Sequence, residues 1–130
     1  MKLLDTDICI GLLKAVPSVV ENWRKCNERC AVSVMSVGEL CYGAAKARDP
    51  EAERQRVGQL IDLLGGEVQI TKTAMMRFGE IKASLESKGQ RIDDADIIIA
   101  TTALENGMTL VTGNTKHFSR IPDLIIENWF

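Results

Sequence analysis

The chain has 130 residues, 45% of them hydrophobic and only 5% aromatic, with a formal net charge of −2. This length suits one domain over residues 1–130 with an aliphatic core, and the slightly acidic charge excludes a general electrostatic attraction to nucleic acid. Charge begins at Lys2, and no apolar run approaches the roughly 20 residues of a membrane span, so we expect a cytoplasmic protein without a signal peptide.

Predicted strands and helices alternate along the chain, with turn residues between them. The first half contains strand Lys2–Leu4, helix Ile8–Ala15, a helix from Pro17 to about Glu28, strand Cys30–Val34, a helix opened by Ser36, and a helix from Pro50 to Gly65. The second half contains strand Glu67–Ile70, helix Thr73–Lys88, a helix from the acidic stretch Asp93–Asp96 to Gly107, strand Met108–Thr112, the turn Gly113–Thr115 and strand Leu124–Ile126. This alternation predicts an α/β fold with three layers, in which a parallel sheet of four to five strands lies between helices.

The cysteines follow neither a metal-binding nor a disulfide pattern. Cys9, Cys26, Cys30 and Cys41 include no C-x-x-C pair, and the only histidine, His117, is distant in sequence. Because disulfides are also rare in a reducing compartment, we expect neither a zinc site nor a disulfide. Cys26 and Cys30 are interpreted as small buried hydrophobic residues.

Polar residues at two predicted helix starts have a purely structural interpretation. Ser36, with Glu39 three residues later, resembles a capping box. Asp93, Asp94 and Asp96 precede an apolar run, and an aspartate cap typically stabilises a helix by ~0.5–2 kcal/mol. Two acids are enough for capping, so Asp96 is left without a structural role.

Acids from distant parts of the chain are expected at one edge of the sheet, because the carboxyl ends of parallel strands share an edge. Asp5 follows the first strand, Glu39 lies near the start of the helix after the second, and Asp96 opens the helix before the fourth. Thr112 and Asn114 follow the fourth strand. Clustered carboxylates repel one another unless a cation lies among them, and oxygen-only ligands suit Mg²⁺ or Mn²⁺.

Several stretches, in this order and spacing, resemble the motifs of PIN-domain ribonucleases, and among them the VapC-type toxins of prokaryotic toxin–antitoxin pairs. The motifs are Leu4–Ile8, Ser33–Leu40 with Tyr42–Ala44, Ile92–Ala100, Leu110–Asn114 and Ile126–Trp129, and together they extend over nearly the whole chain. The resemblance implies a single PIN-like domain and an endoribonuclease that cuts tRNA or other structured RNA and inhibits translation. It also implies a homodimer that a cognate antitoxin blocks.

The resemblance assigns site residues as well. The family's metal-binding acids fall on Asp5, Glu39 and Asp96, and Asp94 matches an acid that many such toxins carry. Supporting polar positions fall on Thr6, Asp7, Thr112 and Asn114. One or two Mg²⁺ or Mn²⁺ ions would activate water for in-line attack on phosphorus, leaving a 5′-phosphate and a 3′-hydroxyl. A metal-free route through the 2′-hydroxyl usually needs an acid and a base, often two histidines, and this chain has one histidine.

Two positions depart from the family's motifs. Position 7 is often asparagine but is aspartate here, which adds a negative charge beside Asp5. Many members carry a further acid where this chain has His117, and a neutral imidazole is a poor Mg²⁺ ligand. We interpret His117 as a surface residue on a short turn.

Basic residues near the predicted element ends are candidate RNA contacts, about half of which are expected to be only solvated surface. They are Lys46, Arg48, Lys88, Arg91, Lys116 and Arg120. Two other functions stay open. Asp5 and Asp7 after a buried strand also fit a haloacid-dehalogenase-like phosphatase, with Asp5 as nucleophile and Asp7 as acid and base. A catalytically inactive PIN-like binding module is the other alternative, although it would not need Asp5, Glu39 and Asp96 together.

Overall fold

The structure, a computed structural model, describes residues 1–130 and contains five strands and seven helices. The strands are β1 (Lys2–Leu4), β2 (Cys30–Ser33), β3 (Glu67–Val68), β4 (Thr109–Val111) and β5 (Ile126–Glu127). The helices are α1 (Thr6–Leu13), α2 (Pro17–Lys25), α3 (Val34–Ala45), α4 (Pro50–Leu63), α5 (Lys72–Ser87), α6 (Asp94–Glu105) and α7 (Thr115–Phe118). None of the seven helices combines the length and apolar character that crossing a membrane requires.

The five strands form one parallel sheet in the order β3-β2-β1-β4-β5. β1 lies at the centre, where Leu4 is in register with Val32 of β2 and with Val111 of β4. The strand order reverses at β1, and in open α/β sheets a crevice forms at the carboxyl ends of the strands on either side of such a reversal. The predicted parallel sheet is therefore confirmed, with five strands.

Hydrophobic side chains form a separate core on each face of the sheet. Leu4, Val32 and Val111 pack with residues of α1 to α4, whereas Leu3 and Leu110 pack with residues of α5, α6 and α7. Successive strand residues point to opposite faces, so β1 and β4 each supply both cores. The sheet thus lies between two helix layers, which confirms the predicted three-layer α/β/α architecture.

Helix starts differ from the predictions where a side chain caps the first turn. α1 begins at Thr6 and not at Ile8, because Asp5 is its N-cap and accepts a 2.8 Å hydrogen bond from the Thr6 backbone N–H. α3 is capped by Ser33, whose hydroxyl accepts from the Met35 N–H at 3.1 Å. The predicted capping box of Ser36 and Glu39 is therefore wrong, and both residues lie inside the helix.

α6 is more deeply buried than its sequence pattern predicts. Every residue from Ile97 to Ala103 is buried, which is almost two full helical turns and therefore every side of the helix. The reason is its position, because α6 packs against α5, α3 and β4. The burial holds the acidic first turn of α6 in a defined place.

Candidate active site

Asp5 is the most deeply placed acid at the carboxyl edge of the sheet. Its side chain is 5% exposed. Oδ1 accepts from the Thr6 N–H at 2.8 Å, and Oδ2 accepts from the Thr112 hydroxyl, which follows β4, at 2.7 Å. Burial raises the pKa of Asp5 to about 7, and the charges of Asp7 and Asp96 add to the rise, while the bonds from Thr112 and Thr6 oppose it. Asp5 therefore titrates near neutrality in the metal-free protein.

Glu39 is held towards Asp5 by the residue that follows Asp5. The Thr6 hydroxyl donates to Glu39 Oε1 at 2.6 Å, and it lies 2.9 Å from the Ser36 hydroxyl. Ser36 is fully buried one turn before Glu39 on α3. Sequence reasoning treats Ser36 only as a helix cap and misses this contact, although its spacing from Glu39 places both side chains on one helix face.

Asp7 connects α1 to the loop after β4. Its Oδ2 accepts from the Gly113 N–H at 2.9 Å, whereas its buried Oδ1 has no hydrogen-bond partner. Burial raises the pKa of Asp7, and the nearby Gly113 and Ile8 N–H groups oppose the rise. An unpartnered buried carboxylate oxygen is costly, so this oxygen is suited to accept a cation or a donor from a bound molecule.

Asp96 faces the same cluster from the first turn of α6. Its pKa is raised, first by burial and then by the charges of Glu39, Asp93 and Asp7, while His117 opposes the rise. Asp96 therefore lies in the neighbourhood of acids on α1 and α3. Asp5, Asp7, Glu39 and Asp96 thus come from three separate segments to one edge of the sheet, and their role as metal ligands stays a prediction.

Asp94 pairs with a residue outside this cluster, and its predicted place among the metal-binding acids stays a prediction. Its exposed carboxylate forms a 2.9 Å ion pair with Lys82 of α5. Residues two positions apart in a helix project about 200° apart, so Asp94 and Asp96 point to nearly opposite sides of α6. Asp93 occupies the N-cap position as predicted, but its side chain forms no capping hydrogen bond.

Asn114 and His117 border the cluster at α7. Asn114 N–H donates to the Thr112 hydroxyl at 3.0 Å, and its side-chain amide lies 2.9 Å from His117 Nδ1. His117 is half-buried and close enough to Asp96 to influence its pKa. His117 thus lies on a one-turn helix and is only half-buried, and the interpretation that it has no catalytic role stays a prediction.

The donor set fits a hard divalent cation. All candidate ligands are carboxylate oxygens, and one of them is buried without a partner. Burial raises the pKa values of Asp5, Asp7 and Asp96, and the charges of neighbouring acids add to the rise at Asp5 and Asp96. No three acidic, histidine or cysteine side chains converge closely enough to form a finished metal cage.

Comparison with known proteins decides the family. The PIN-domain family model matches residues 2–124. The chain is a PIN-domain protein of the VapC ribonuclease family. It is 33% identical to ribonuclease VapC2 of Rickettsia felis, with 98% of this chain and 96% of the relative covered. It is 36% identical, with the same coverage, to a protein of Salmonella typhimurium named tRNA(fMet)-specific endonuclease VapC.

Solved VapBC structures have the same fold as this VapC-family chain. A chain in the VapBC2 complex of Rickettsia felis bound to a promoter DNA fragment superposes with a TM-score of 0.92 and 32% identity, covering 99% of this chain and 98% of that one. DNA-bound VapBC of Salmonella typhimurium gives a TM-score of 0.91 and 32% identity over the whole of both chains. Neither the phosphatase nor the inactive binding module is favoured by these relatives.

The basic residues predicted to contact RNA are spread around the VapC fold. Lys88 and Arg120 line one cavity of about 220 Å³, and Arg91 lies 3.9 Å from Glu86. Lys46 lies 4.8 Å from the centroid of the exposed Tyr42 ring. Arg48 and Lys116 are exposed. Contact of any of the six with RNA stays a prediction.

Proposed function

We propose that this VapC-family protein is a metal-dependent endoribonuclease and the toxin of a toxin–antitoxin pair, which hydrolyses tRNA or other structured RNA and so inhibits translation. The observation that carries the proposal is the cluster of Asp5, Asp7, Glu39 and Asp96 at the carboxyl edge, with the pKa of Asp5 raised to about 7. A fold has no need of such mutually repelling acids, whereas a divalent cation binds to carboxylate oxygens.

Asp5, Glu39 and Asp96 would hold Mg²⁺ or Mn²⁺, with Asp7 beside them. When bound, such an ion supplies Lewis-acid stabilisation of the phosphoryl group and a lowered pKa for water. The chain's own part is to keep the acids in place: Thr112 and the Thr6 N–H orient Asp5, and Thr6 with Ser36 orients Glu39. The Gly113 N–H fixes one oxygen of Asp7 and leaves the other free.

The proposed substrate and partners follow the relatives. The Salmonella typhimurium relative is named for cleavage of tRNA(fMet), so tRNA is the first substrate to test. The solved relatives are VapBC complexes, so we propose a cognate antitoxin that binds this chain, and a homodimer of the toxin. Expression of the chain alone should arrest growth, and coexpression of the small protein encoded beside it should restore growth.

The central experiment measures cleavage of a total tRNA pool by the purified protein. Cleavage should require Mg²⁺ or Mn²⁺, stop in EDTA, and leave 5′-phosphate and 3′-hydroxyl ends. Asp5→Asn removes the charge but keeps the hydrogen-bonding shape, and it should lower cleavage by about a hundredfold or more. Undiminished cleavage in EDTA, or by Asp5→Asn, would contradict the metal mechanism.

Asp93→Asn is the matched control, because Asp93 is an exposed acid in the same acidic stretch. Asparagine serves at a helix N-cap at little cost, and Asp93 makes no capping bond to lose. This variant should retain cleavage within a few-fold of wild type. If Asp93→Asn lost as much cleavage activity as Asp5→Asn, removal of any negative charge near the site would be enough to abolish cleavage.

A further inference from the structure

Two thiols face each other at the amino end of the sheet, opposite the acidic site. Cys26 follows the last turn of α2 and Cys30 begins β2. Their Sγ atoms are 3.8 Å apart. Both thiols also lie near one acceptor, the Glu28 carbonyl oxygen, at 3.5 Å from Cys26 and 3.7 Å from Cys30. The short segment between them therefore holds the two sulfur atoms against each other.

The other two cysteines have no such neighbour. Cys9 is buried in the core on the α1 side of the sheet, and Cys41 is exposed on α3. No third acidic, histidine or cysteine side chain joins Cys26 and Cys30 to make a metal-binding group. A pair of adjacent thiols without a further ligand is suited to oxidation, because a disulfide needs only the two sulfur atoms.

We propose that Cys26 and Cys30 form a reversible intramolecular disulfide. The two cysteines would then be a modification site for disulfide oxidants such as oxidised glutathione. The Cys26 thiolate attacks one sulfur of the oxidant, so that one glutathione leaves as a thiolate. Cys30 then gives its proton to that thiolate or to water and attacks Cys26 Sγ, releasing the second glutathione. Two protein thiols are oxidised and one glutathione disulfide is reduced to two thiols.

Accessibility sets the order of these steps. Cys26 is partly exposed, whereas Cys30 is buried. Burial, followed by the neighbouring Cys26, raises the pKa of Cys30 to about 12, and a protonated thiol is a poor nucleophile. The sulfur atoms must approach from 3.8 Å to a bond of about 2.05 Å. Residues 26–29 lie outside any helix or strand, so the segment can supply this movement.

The disulfide would lie at the amino end of the sheet, where hydrogen bonds connect the residues at the starts of β1, β2 and β3. The Lys2 N–H donates to the Arg29 carbonyl at 2.9 Å, and the Arg29 guanidinium donates to the Gly65 carbonyl at 3.1 Å. Asp5 lies at the other end of β1. Oxidation should therefore change the thiol content without changing RNA cleavage, and the proposal does not depend on the proposed function.

The test uses the full chain with Cys41→Ser, which removes the exposed thiol and prevents crosslinks between molecules. After incubation with oxidised glutathione, intact mass should fall by two hydrogen atoms, and peptide mapping should link Cys26 to Cys30. Dithiothreitol should restore the reduced mass. A protein that stays unmodified, stops as a glutathione adduct, or forms a disulfide to Cys9 would overturn the proposal.

Two further variants separate the thiols. In the Cys41→Ser background, Cys30→Ala should stop at a single glutathione adduct on Cys26, because no second thiol is within reach. Cys26→Ser should take up glutathione at least tenfold more slowly, because only buried thiols remain. Equal uptake by the Cys26→Ser variant, or an intramolecular disulfide in the Cys30→Ala variant, would contradict the assignment. Thermal melts identify any variant that is unfolded, and Cys26→Ala then replaces Cys26→Ser.

Discussion

Thr6 contributes to the site at the scale of a single hydroxyl. The Thr6 hydroxyl donates a hydrogen bond to the charged Glu39 carboxylate. A hydrogen bond to a charged group contributes about 1.5–3 kcal/mol. Thr6→Val keeps the shape but loses the donor, so Glu39 should become mobile and kcat for tRNA cleavage should fall about ten- to hundredfold. Steady-state kinetics at saturating Mg²⁺ measures this loss.

Ser36→Ala and Ser33→Ala provide the controls for Thr6→Val. Ser36 reaches Glu39 only through Thr6, so Ser36→Ala should reduce kcat about fivefold, as expected for one neutral hydrogen bond. Ser33 caps α3, so Ser33→Ala should cost about 1 kcal/mol of folding stability with little effect on kcat. If the three variants lose activity only in proportion to stability, the positioning role of Thr6 is wrong.

Asp96 and Asp94 provide a second comparison between single residues. Asp96 lies among repelling acids and Asp94 pairs with Lys82. Asp96→Asn should nearly abolish cleavage and leave the metal-free protein as stable as wild type or more stable. Asp94→Asn should retain most cleavage, because its ion pair is exposed and contributes at most about 1 kcal/mol. Cleavage assays and thermal melts without metal measure both effects.

The opposite results would change the assignment of the site residues. A large drop in melting temperature for Asp96→Asn would make Asp96 a structural residue. An Asp94→Asn variant as inactive as Asp96→Asn would return Asp94 to the ligand set that the family motif implies.

At the scale of elements, the β4–α7 loop depends on the close approach of Gly113 to α1. A Cβ atom at residue 113 would lie 2.9 Å from Asp7 Oδ2 and 2.7 Å from Phe130 Cδ2. The exposed Phe130 ring can rotate away, but Asp7 cannot move without weakening its bond to the Gly113 N–H. Gly113→Ala should therefore destabilise the protein by about 1–3 kcal/mol, measured by urea unfolding.

The same substitution in a Phe130→Ala background separates the two contacts. If Asp7 is the obstacle, Gly113→Ala should cost nearly as much free energy of unfolding in that background. A cost that disappears would assign the effect to the terminal ring and not to the connection between α1 and the loop.

At the scale of the whole molecule, the acidic cluster makes the stability of the metal-free protein depend on pH. Burial raises the pKa of Asp5 from 3.8 to about 7, so between these values the folded state binds a proton that the unfolded chain has lost. The free energy of unfolding should therefore fall as pH rises through this range and level off above it. The raised pKa values of Asp7 and Asp96 act in the same direction.

Urea unfolding at several pH values in EDTA measures this slope, and Asp5→Asn identifies its source. The variant should show a clearly smaller fall in stability than wild type between pH values of about 4 and 7. Mg²⁺ or Mn²⁺ at neutral pH should restore stability to the wild type, because a ligand that binds the folded state stabilises it. Parallel pH curves for both proteins would remove Asp5 as the source.

The sequence by itself determined the architecture and predicted the main acids of the candidate site. Strand and helix patterns depend on neighbouring residues, so their alternation already predicts the three layers and the parallel sheet. Parallel strands share their carboxyl edge, which places Asp5, Glu39 and the acidic start of α6 at that edge before any contact is known. Element ends were misplaced, as at Ser33 and Ser36, because either serine can cap a helix.

Only the tertiary structure decided which side chains meet. Thr6 contacts Glu39 across 33 positions of sequence, and Thr112 contacts Asp5 across 107. Such contacts depend on how the helices pack on the sheet, and no local pattern encodes them. The same packing turns Asp94 to Lys82 of α5 and brings His117 towards Asp96, because the direction of a side chain is set by the rotation of its helix against its neighbours.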